Sequence, residues 1–171
     1  MKKIIFSFLI LVFLSCNLFA QDAESYFELG TKEMEAKNFS DAIEYFTKAL
    51  SIKEDGAIYY NRGVCYGQLG EFQKAVDDFS KTIESNPDVS DAYNGRGLGY
   101  YSLKEYEKAI LDFTKTIELA PLNADAYYNR GKAYKDIGEN YKAIYDFSKT
   151  VVIVPKHLYA YYERGFAYYN I

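Results

Sequence analysis

The pentapeptide "YYNRG" occupies residues 59–63 and recurs unchanged at residues 127–131. Related forms lie between and after these two copies, "YNGRG" at 93–97 and "YYERG" at 161–165. The glycines that close successive copies are 34 residues apart. A chemical site is rarely needed four times at a constant interval, whereas a structural unit that stacks on copies of itself requires such spacing. The sequence therefore predicts a tandem array of units.

Other residue types recur in register with these glycines. Gly30 lies 33 residues before Gly63 and extends the array upstream. An aromatic residue precedes each glycine by four positions, and alanine and phenylalanine follow it by twelve and sixteen wherever the chain reaches that far. Residues four apart share one face of a helix, and proline closes three of the units, so each unit is predicted to be a pair of helices. The recurring residues are Tyr26, Tyr59, Tyr93, Tyr127 and Tyr161; Ala42, Ala75, Ala109 and Ala143; Phe46, Phe79, Phe113 and Phe147; and Pro87, Pro121 and Pro155.

The repeated glycine needs a physical reason. Glycine inside a helix costs about 1 kcal/mol relative to alanine. We expect the missing side chain to let the two helices of a unit approach backbone to backbone. The alanine would face the same gap, and the phenylalanine would fill the space toward the next unit.

This residue pattern resembles the tetratricopeptide repeat, with "YFELG" at 26–30 and the series Ala75, Phe79 and Pro87 nearest to its signature. The resemblance covers residues 23–171 and implies an all-α fold, a right-handed α-solenoid of four helical pairs plus a half. The units would be 23–55, 56–89, 90–123, 124–157 and the partial 158–171. Asn140 stands where other units have an aromatic residue, which predicts that the start of its helix is shifted by one position.

Arginine replaces the family's leucine before the glycine in the second to fifth units. The second to fourth units also carry aspartate before the phenylalanine, whereas the first has Leu29 and Tyr45 in the two places. This pairing predicts an ion pair between the two helices of a unit. The alternative is that both charges are solvated, with the arginine stems lying over aromatic surface. The predicted pairs are Arg62–Asp78, Arg96–Asp112 and Arg130–Asp146.

The N-terminus is typical of a secretory signal peptide over residues 1–20. Two lysines precede an apolar run of 11 residues, Ile4 to Leu14, which is too short to span a bilayer. Cleavage after Ala20 would release a periplasmic or envelope-associated protein. Cleavage before Cys16, in a sequence that loosely resembles a bacterial lipoprotein box, would give a lipid anchor at Cys16, and an uncleaved anchor is the third alternative. After removal of residues 1–20, Cys65 is the single cysteine, so no disulfide can form within the domain at 21–171.

Composition and motifs argue against an enzyme and against nucleic-acid binding. The chain has one histidine, His157, and lacks the residue sets of a metal site or a nucleophilic triad, so no cofactor, metal or catalytic residue is predicted. The glycine-rich "GRGLG" at 95–99 falls inside a predicted helix and is not a dinucleotide-binding turn. The net charge is −4, and no basic stripe is present for binding phosphates.

The resemblance implies a concave surface, lined by the first helix of each unit, that holds a segment of a partner protein. We predict this surface to be aromatic with few charges, which is typical of protein recognition; the alternative is that its tyrosines serve packing alone. Some relatives hold the carboxylate end of chaperone tails with lysine and asparagine on successive turns, but here the first row has no lysine and the second row has no asparagine, so that specialisation is not implied. Its first row is Phe27, Tyr60, Asn94, Tyr128 and Tyr162; its second is Thr31, Val64, Leu98, Lys132 and Phe166; its third contains Met34, Tyr101, Lys135 and Tyr169.

The sequence thus predicts a non-enzymatic scaffold, exported to the bacterial envelope, that binds another envelope protein. Two alternatives are the binding or regulatory part of a larger enzyme and a glycan-binding module on the tyrosine rows. The segment 158–171 carries six aromatic residues among the 14 from Leu158 to Ile171. This indicates a piece of a longer array, or a face covered by a partner or by a second copy of the chain.

Overall fold

A computed structural model describes residues 22–171, and within that range the chain forms nine α-helices and no strand. They alternate as the first and second helix of each unit, and α9 is the first helix of the partial fifth unit. The helices are α1 at residues 22–35, α2 Phe39–Ile52, α3 Gly56–Gln68, α4 Phe72–Ser85, α5 Ser90–Ser102, α6 Tyr106–Leu119, α7 Ala124–Asp136, α8 Asn140–Ile153 and α9 Leu158–Tyr169. The all-α solenoid predicted from the repeat is confirmed.

A left-handed residue lies in the turn between the two helices of each complete unit. Gly70 and Gly138 supply it in the second and fourth units with φ of 76° and 82°, and two lysines supply it in the others. The backbone N–H of Glu139 then donates to Tyr134 O at 2.9 Å, as Glu71 N–H does to Tyr66 O. This turn fixes where the second helix begins, so α8 starts at Asn140 itself. The predicted shift of one residue is wrong.

The first helices lie on the inner side of the array. Each helix from α2 onward packs against its chain neighbours, and first helices of consecutive units also contact each other: α3 with α5, α5 with α7 and α7 with α9. Across the same residues, the second helices α4, α6 and α8 make no such contacts with one another. An array whose first helices are closer together curves toward them, so they line its concave side.

The repeated glycines accommodate a ring rather than a neighbouring backbone. A Cβ atom on Gly30 would lie 2.6 Å from a ring carbon of Phe46, and one on Gly131 would lie 2.8 Å from the ring of Phe147. The phenylalanine sixteen residues after the glycine is buried in each complete unit. The expected backbone-to-backbone contact is therefore wrong, because the aromatic side chain of the second helix occupies the gap.

Candidate partner-binding surface

The three predicted arginine–aspartate pairs are present and join the two helices of each unit. In each pair, Nε and Nη2 of the arginine donate to the two carboxylate oxygens at 2.8 Å. The pairs are largely enclosed, since the Asp146 side chain is 1% exposed and the Arg130 side chain 13% exposed. Burial raises the pKa of Asp146, and the hydrogen bonds from Arg130 oppose that rise. The alternative of two solvated charges is excluded.

Each of these arginines also reaches back to the preceding unit, which the sequence analysis did not foresee. The Nη1 group of Arg130 donates to Thr114 Oγ1 at 3.0 Å, and that of Arg96 donates to Ser80 Oγ at 3.2 Å. Arg62 and Arg164 make the same bond to Thr47 and Ser148. A serine or threonine directly after every repeated phenylalanine was the available signal. The arginines therefore join units as well as helices, and we call this series the arginine ladder.

The first predicted row combines packing with exposure. The rings of Phe27, Tyr60 and Tyr128 are half-buried, each 5.7–5.9 Å between centroids from the repeated phenylalanine of its own unit. Asn94 is half-buried, and Tyr162 is 69% exposed. Tyr60 and Tyr128 therefore do pack within their own units, which was the alternative role for these tyrosines. Both rings still expose part of their surface on the concave side.

The second and third predicted rows differ along the array. Leu98 and Phe166 are 41% and 45% exposed, and Tyr169 is 86% exposed. Half-buried members are Thr31, whose hydroxyl donates to Phe27 O at 2.9 Å, and Val64. The remaining half-buried members are Met34, Tyr101, Lys132 and Lys135. Apolar side chains of successive first helices are thus accessible on the concave side.

Polar contacts link neighbouring first helices at the fourth-unit end of this surface. The hydroxyl of Tyr101 donates to Asp136 at 2.6 Å, which links α5 to α7. Lys135 Nζ contacts Glu163 at 2.7 Å, which links α7 to α9, and Lys132 Nζ lies 4.6 Å from the centroid of the Tyr101 ring. The surface therefore carries more charge than predicted, and most of it here is already paired.

A cleft of about 430 Å³ opens in the concave surface between the second and third units. Tyr60, Val64 and Leu98 form part of its wall, and Gly67 lies at the position where other units place a large side chain. A Cβ atom on Gly67 would have no neighbour within 4 Å among the described residues. The volume falls in the range of roughly 300–1,000 Å³ that is usual for ligand sites. We call this space the Gly67 cleft.

The surroundings of two tyrosines on the concave surface move their ionisation to higher pH. Burial raises the pKa of Tyr60, and the negative charge of Asp91 adds to the rise. Burial likewise raises the pKa of Tyr101, with further contributions from the hydrogen bond and charge of Asp136. Both hydroxyls therefore stay protonated at physiological pH. That of Tyr101 already donates to Asp136, so of the two only the Tyr60 hydroxyl is available to donate to a ligand.

The last helix, α9, lacks the partners that its counterparts have. A Cβ atom on Gly165 would meet nothing within 4 Å, and Arg164 bonds only to Ser148 among the described residues. Tyr159, Tyr162 and other aromatic side chains of α9 are exposed. The outer face of α9 is open in this structure, as its aromatic composition suggested.

The predicted sites away from the concave surface are the two cysteines and the signal peptide. Cys16 and the signal peptide at 1–20 lie outside the described residues. Cys65 is fully buried, and burial raises the pKa of its thiol to about 11, which fits a packing residue rather than a reactive one. Residues 22–171 contain no cluster of potential metal ligands and no helix long and apolar enough to cross a bilayer.

Comparison with known protein families identifies the repeat. Models described as "Tetratricopeptide repeat" match residues 23–55 and 56–89, and one described as "TPR repeat" matches residues 97–138. Together these matches cover more than half of the chain. The chain belongs to the tetratricopeptide repeat family. Proteins of this family are protein-interaction scaffolds and are generally non-catalytic.

Individual relatives support the same family. The chain is 36% identical over 74 residues to heat shock protein STI1 of Saccharomyces cerevisiae, a match that covers 42% of this chain and 13% of STI1. The solved structure titled "Crystal structure of MamA protein" superposes with a TM-score of 0.84 at 28% identity, covering 88% of this chain and 82% of that one. The first TPR of Spaghetti, bound to the HSP90 peptide SRMEEVD, has a TM-score of 0.67 at 26% identity and covers 70% and 95% of the two chains. The chain thus spans a small part of its curated relative's length and most of each solved domain.

Proposed function

We propose that this chain is a non-enzymatic scaffold, exported to the bacterial envelope, that binds a segment of another envelope protein on its concave surface. The observation that carries the proposal is the series of accessible apolar side chains on the first helices, with Leu98 exposed at the Gly67 cleft on α5 and Phe166 exposed on α9. Such a series can hold an extended or helical segment across several units. The Spaghetti domain, which is similar over most of its length, is seen with a bound peptide.

Export is the second part of the proposal. It is supported by the two N-terminal lysines, the apolar run Ile4 to Leu14 and the small-residue exit at Ala20. Lipidation at Cys16 would place the same scaffold at a membrane surface instead of free in the periplasm. The outer face of α9 is the surface through which a second copy would associate, and self-association there would leave the concave surface open.

The binding test compares two matched double variants of residues 21–171. Leu98→Ser with Phe166→Ser removes one aliphatic and one aromatic side chain from the concave surface. Leu111→Ser with Tyr145→Ser removes the same two kinds of side chain from exposed positions on second helices. All four residues are exposed, so both variants should keep their helicity.

Binding is measured on an array of random decapeptides with amidated C-termini. We expect the unmodified domain and the second-helix variant to bind the same peptides, and the concave variant to lose them. Equal loss in both variants, or equal retention in both, would show that the concave surface is not the binding surface. Size-exclusion chromatography with light scattering reports on association through α9 in the same samples.

A further inference from the structure

The Gly67 cleft carries negative charge that no cation of the described residues offsets. Asp91 and Asp125 line it from the first turns of α5 and α7, and neither side chain forms an ion pair or accepts a hydrogen bond within residues 22–171. No lysine or arginine lines the cleft. The fourth-unit end of the surface differs, because Lys135 there is paired with Glu163.

We propose that the Gly67 cleft receives a lysine or arginine side chain of the bound partner segment. The proposal rests on the proposed function, since it specifies which residue of the segment enters the concave surface at this point. It commits to a basic side chain because the cleft combines an apolar wall with two uncompensated carboxylates.

The wall suits the stem of such a side chain. Val64, Leu98 and Phe72 line the cleft with apolar atoms, against which the methylene groups of lysine or arginine can lie while the charged end stays near water. The carboxylates of Asp91 and Asp125 belong to exposed residues, so they can meet a charge that remains partly hydrated. A short apolar side chain would fill the wall and leave the carboxylates unused.

Two further observations support a ligand with hydrogen-bond donors. Asn94 lines the cleft, and its side-chain Oδ1 is buried without a hydrogen-bond partner among the described residues. An unpaired buried acceptor is unfavourable, and a donor entering the cleft could satisfy it after a small rotation of the amide. Asp91 and Tyr60 line the same cleft, and after burial the negative charge of Asp91 is the second cause of the raised pKa of Tyr60.

The opening depends in part on a glycine that the other units lack at this register. Other units carry Met34, Tyr101, Lys135 and Tyr169 at the register of Gly67. Any of these side chains would enter the cleft, because the space beside Gly67 is empty. The cleft is therefore a feature of the second unit and not of the repeat in general.

The cleft should also reject acidic segments. The peptide SRMEEVD, seen on the Spaghetti domain, brings two glutamates and an aspartate against a single arginine. Two uncompensated carboxylates would repel such a segment, so the preference of this chain is expected to be opposite in charge.

The test uses the decapeptide array, with residues 21–171 unmodified and in three variants. Asp91→Asn with Asp125→Asn removes both charges at nearly constant shape. Gly67→Tyr fills the cleft with the side chain of the third unit, and Gly67→Ala is its matched control, because alanine also replaces the glycine with a better helix former but leaves the space open. Circular dichroism verifies that all variants are folded.

We expect bound peptides to be enriched in lysine or arginine at one position, and replacement of that residue by methionine to weaken binding about tenfold. The double asparagine variant should lose the preference for lysine over methionine, Gly67→Tyr should lose binding, and Gly67→Ala should keep it. Raised salt should weaken the lysine peptide more than the methionine peptide, and SRMEEVD, in which three acidic residues outnumber one arginine, should bind more weakly than the lysine peptide.

Three results would overturn the proposal. Peptides bound without a basic preference, or a preference that survives in the double asparagine variant, would refute the cation site while leaving the concave surface as the binding surface. Equal binding by Gly67→Tyr and Gly67→Ala would place the basic residue elsewhere. Absence of any peptide bound to the unmodified domain would refute the proposed function together with this inference.

Discussion

Replacing Asp146 with alanine should destabilise the domain more than almost any other single change to a polar residue. The Asp146 carboxylate accepts two hydrogen bonds of 2.8 Å from Arg130, and its side chain is 1% exposed. Removing it leaves the guanidinium enclosed with only the Thr114 hydroxyl as a hydrogen-bond partner. Breaking a buried pair in this way costs about 3–5 kcal/mol.

The expected value lies at the low end of that range, about 3 kcal/mol, because 13% of the Arg130 side chain still reaches solvent and its tip can move outward. Folded domains have only about 5–15 kcal/mol of stability, so the change is large. Asp112→Ala should cost less, about 2 kcal/mol, because its partner Arg96 is 21% exposed.

The assay is urea unfolding of residues 21–171, followed by circular dichroism. The Asp146→Ala variant is measured beside Arg130→Met and beside the double variant Arg130→Met with Asp146→Leu. The double variant should lie within about 1 kcal/mol of the unmodified domain, because apolar residues of similar volume can replace a buried pair. Glu44→Ala is the control, since its pair with Lys48 is exposed and its loss should leave the unfolding midpoint unchanged.

A loss below about 1 kcal/mol for Asp146→Ala would refute the reasoning, because the charges would then be effectively solvated. A double variant as unstable as either single variant would also refute it. In that case the pair would contribute through packing geometry that apolar side chains cannot reproduce.

Three further predictions concern other parts of the chain. Gly131→Ala should destabilise the domain by about 1–2 kcal/mol, because the new Cβ would lie 2.8 Å from the ring of Phe147. Gly165→Ala should stabilise it by about 1 kcal/mol, since the new Cβ would meet no atom within 4 Å and alanine favours the helix. Thermal unfolding of both variants separates crowding from helix propensity. The pKa of Asp55 lies below its ordinary value of 3.8, mainly because Lys53 donates to it and also because Ala57 N–H does, so its charge stabilises the domain above pH 3.8 and the benefit is lost as pH falls through the lowered pKa. Melting curves from pH 2.5 to 6 should therefore show the advantage over Asp55→Asn vanishing at the acid end, and a constant difference would contradict this. Fusing residues 1–30 to a phosphatase that is active only outside the cytoplasm should give active enzyme, and an inactive fusion that is expressed normally would argue against export.

Much of the fold was predictable because the repeat is regular. The offsets between glycine, alanine and phenylalanine define the two helix faces, and the joint occurrence of arginine and aspartate predicts their contact at a constant separation of sixteen residues. What occupies the space beside the glycine was not predictable from periodicity. The ring of Phe46 lies against Gly30 where α1 and α2 pack together, and that packing is not determined by residue spacing alone.

The candidate site was less predictable than the fold. The residues of the concave rows follow from helical periodicity, but their exposure depends on how closely neighbouring units approach. The Gly67 cleft was not predicted, because the concave rows were defined by their large side chains and Gly67 contributes no side chain to its row. Its charge was missed as well, because Asp91 and Asp125 belong to helix N-termini, where acidic residues are common for local reasons.

The arginine ladder also determines how the chain can change length. Deleting the 34 residues from Gly63 to Arg96 would bring Arg62 directly before Gly97 and sixteen positions before Asp112. Arg62 would then pair with Asp112 and keep its bond to Thr47, so no charge would lose its partner. Whole units can therefore be lost or duplicated without a compensating substitution elsewhere. The number of units, and with it the length of the concave surface, can change in a single deletion or duplication.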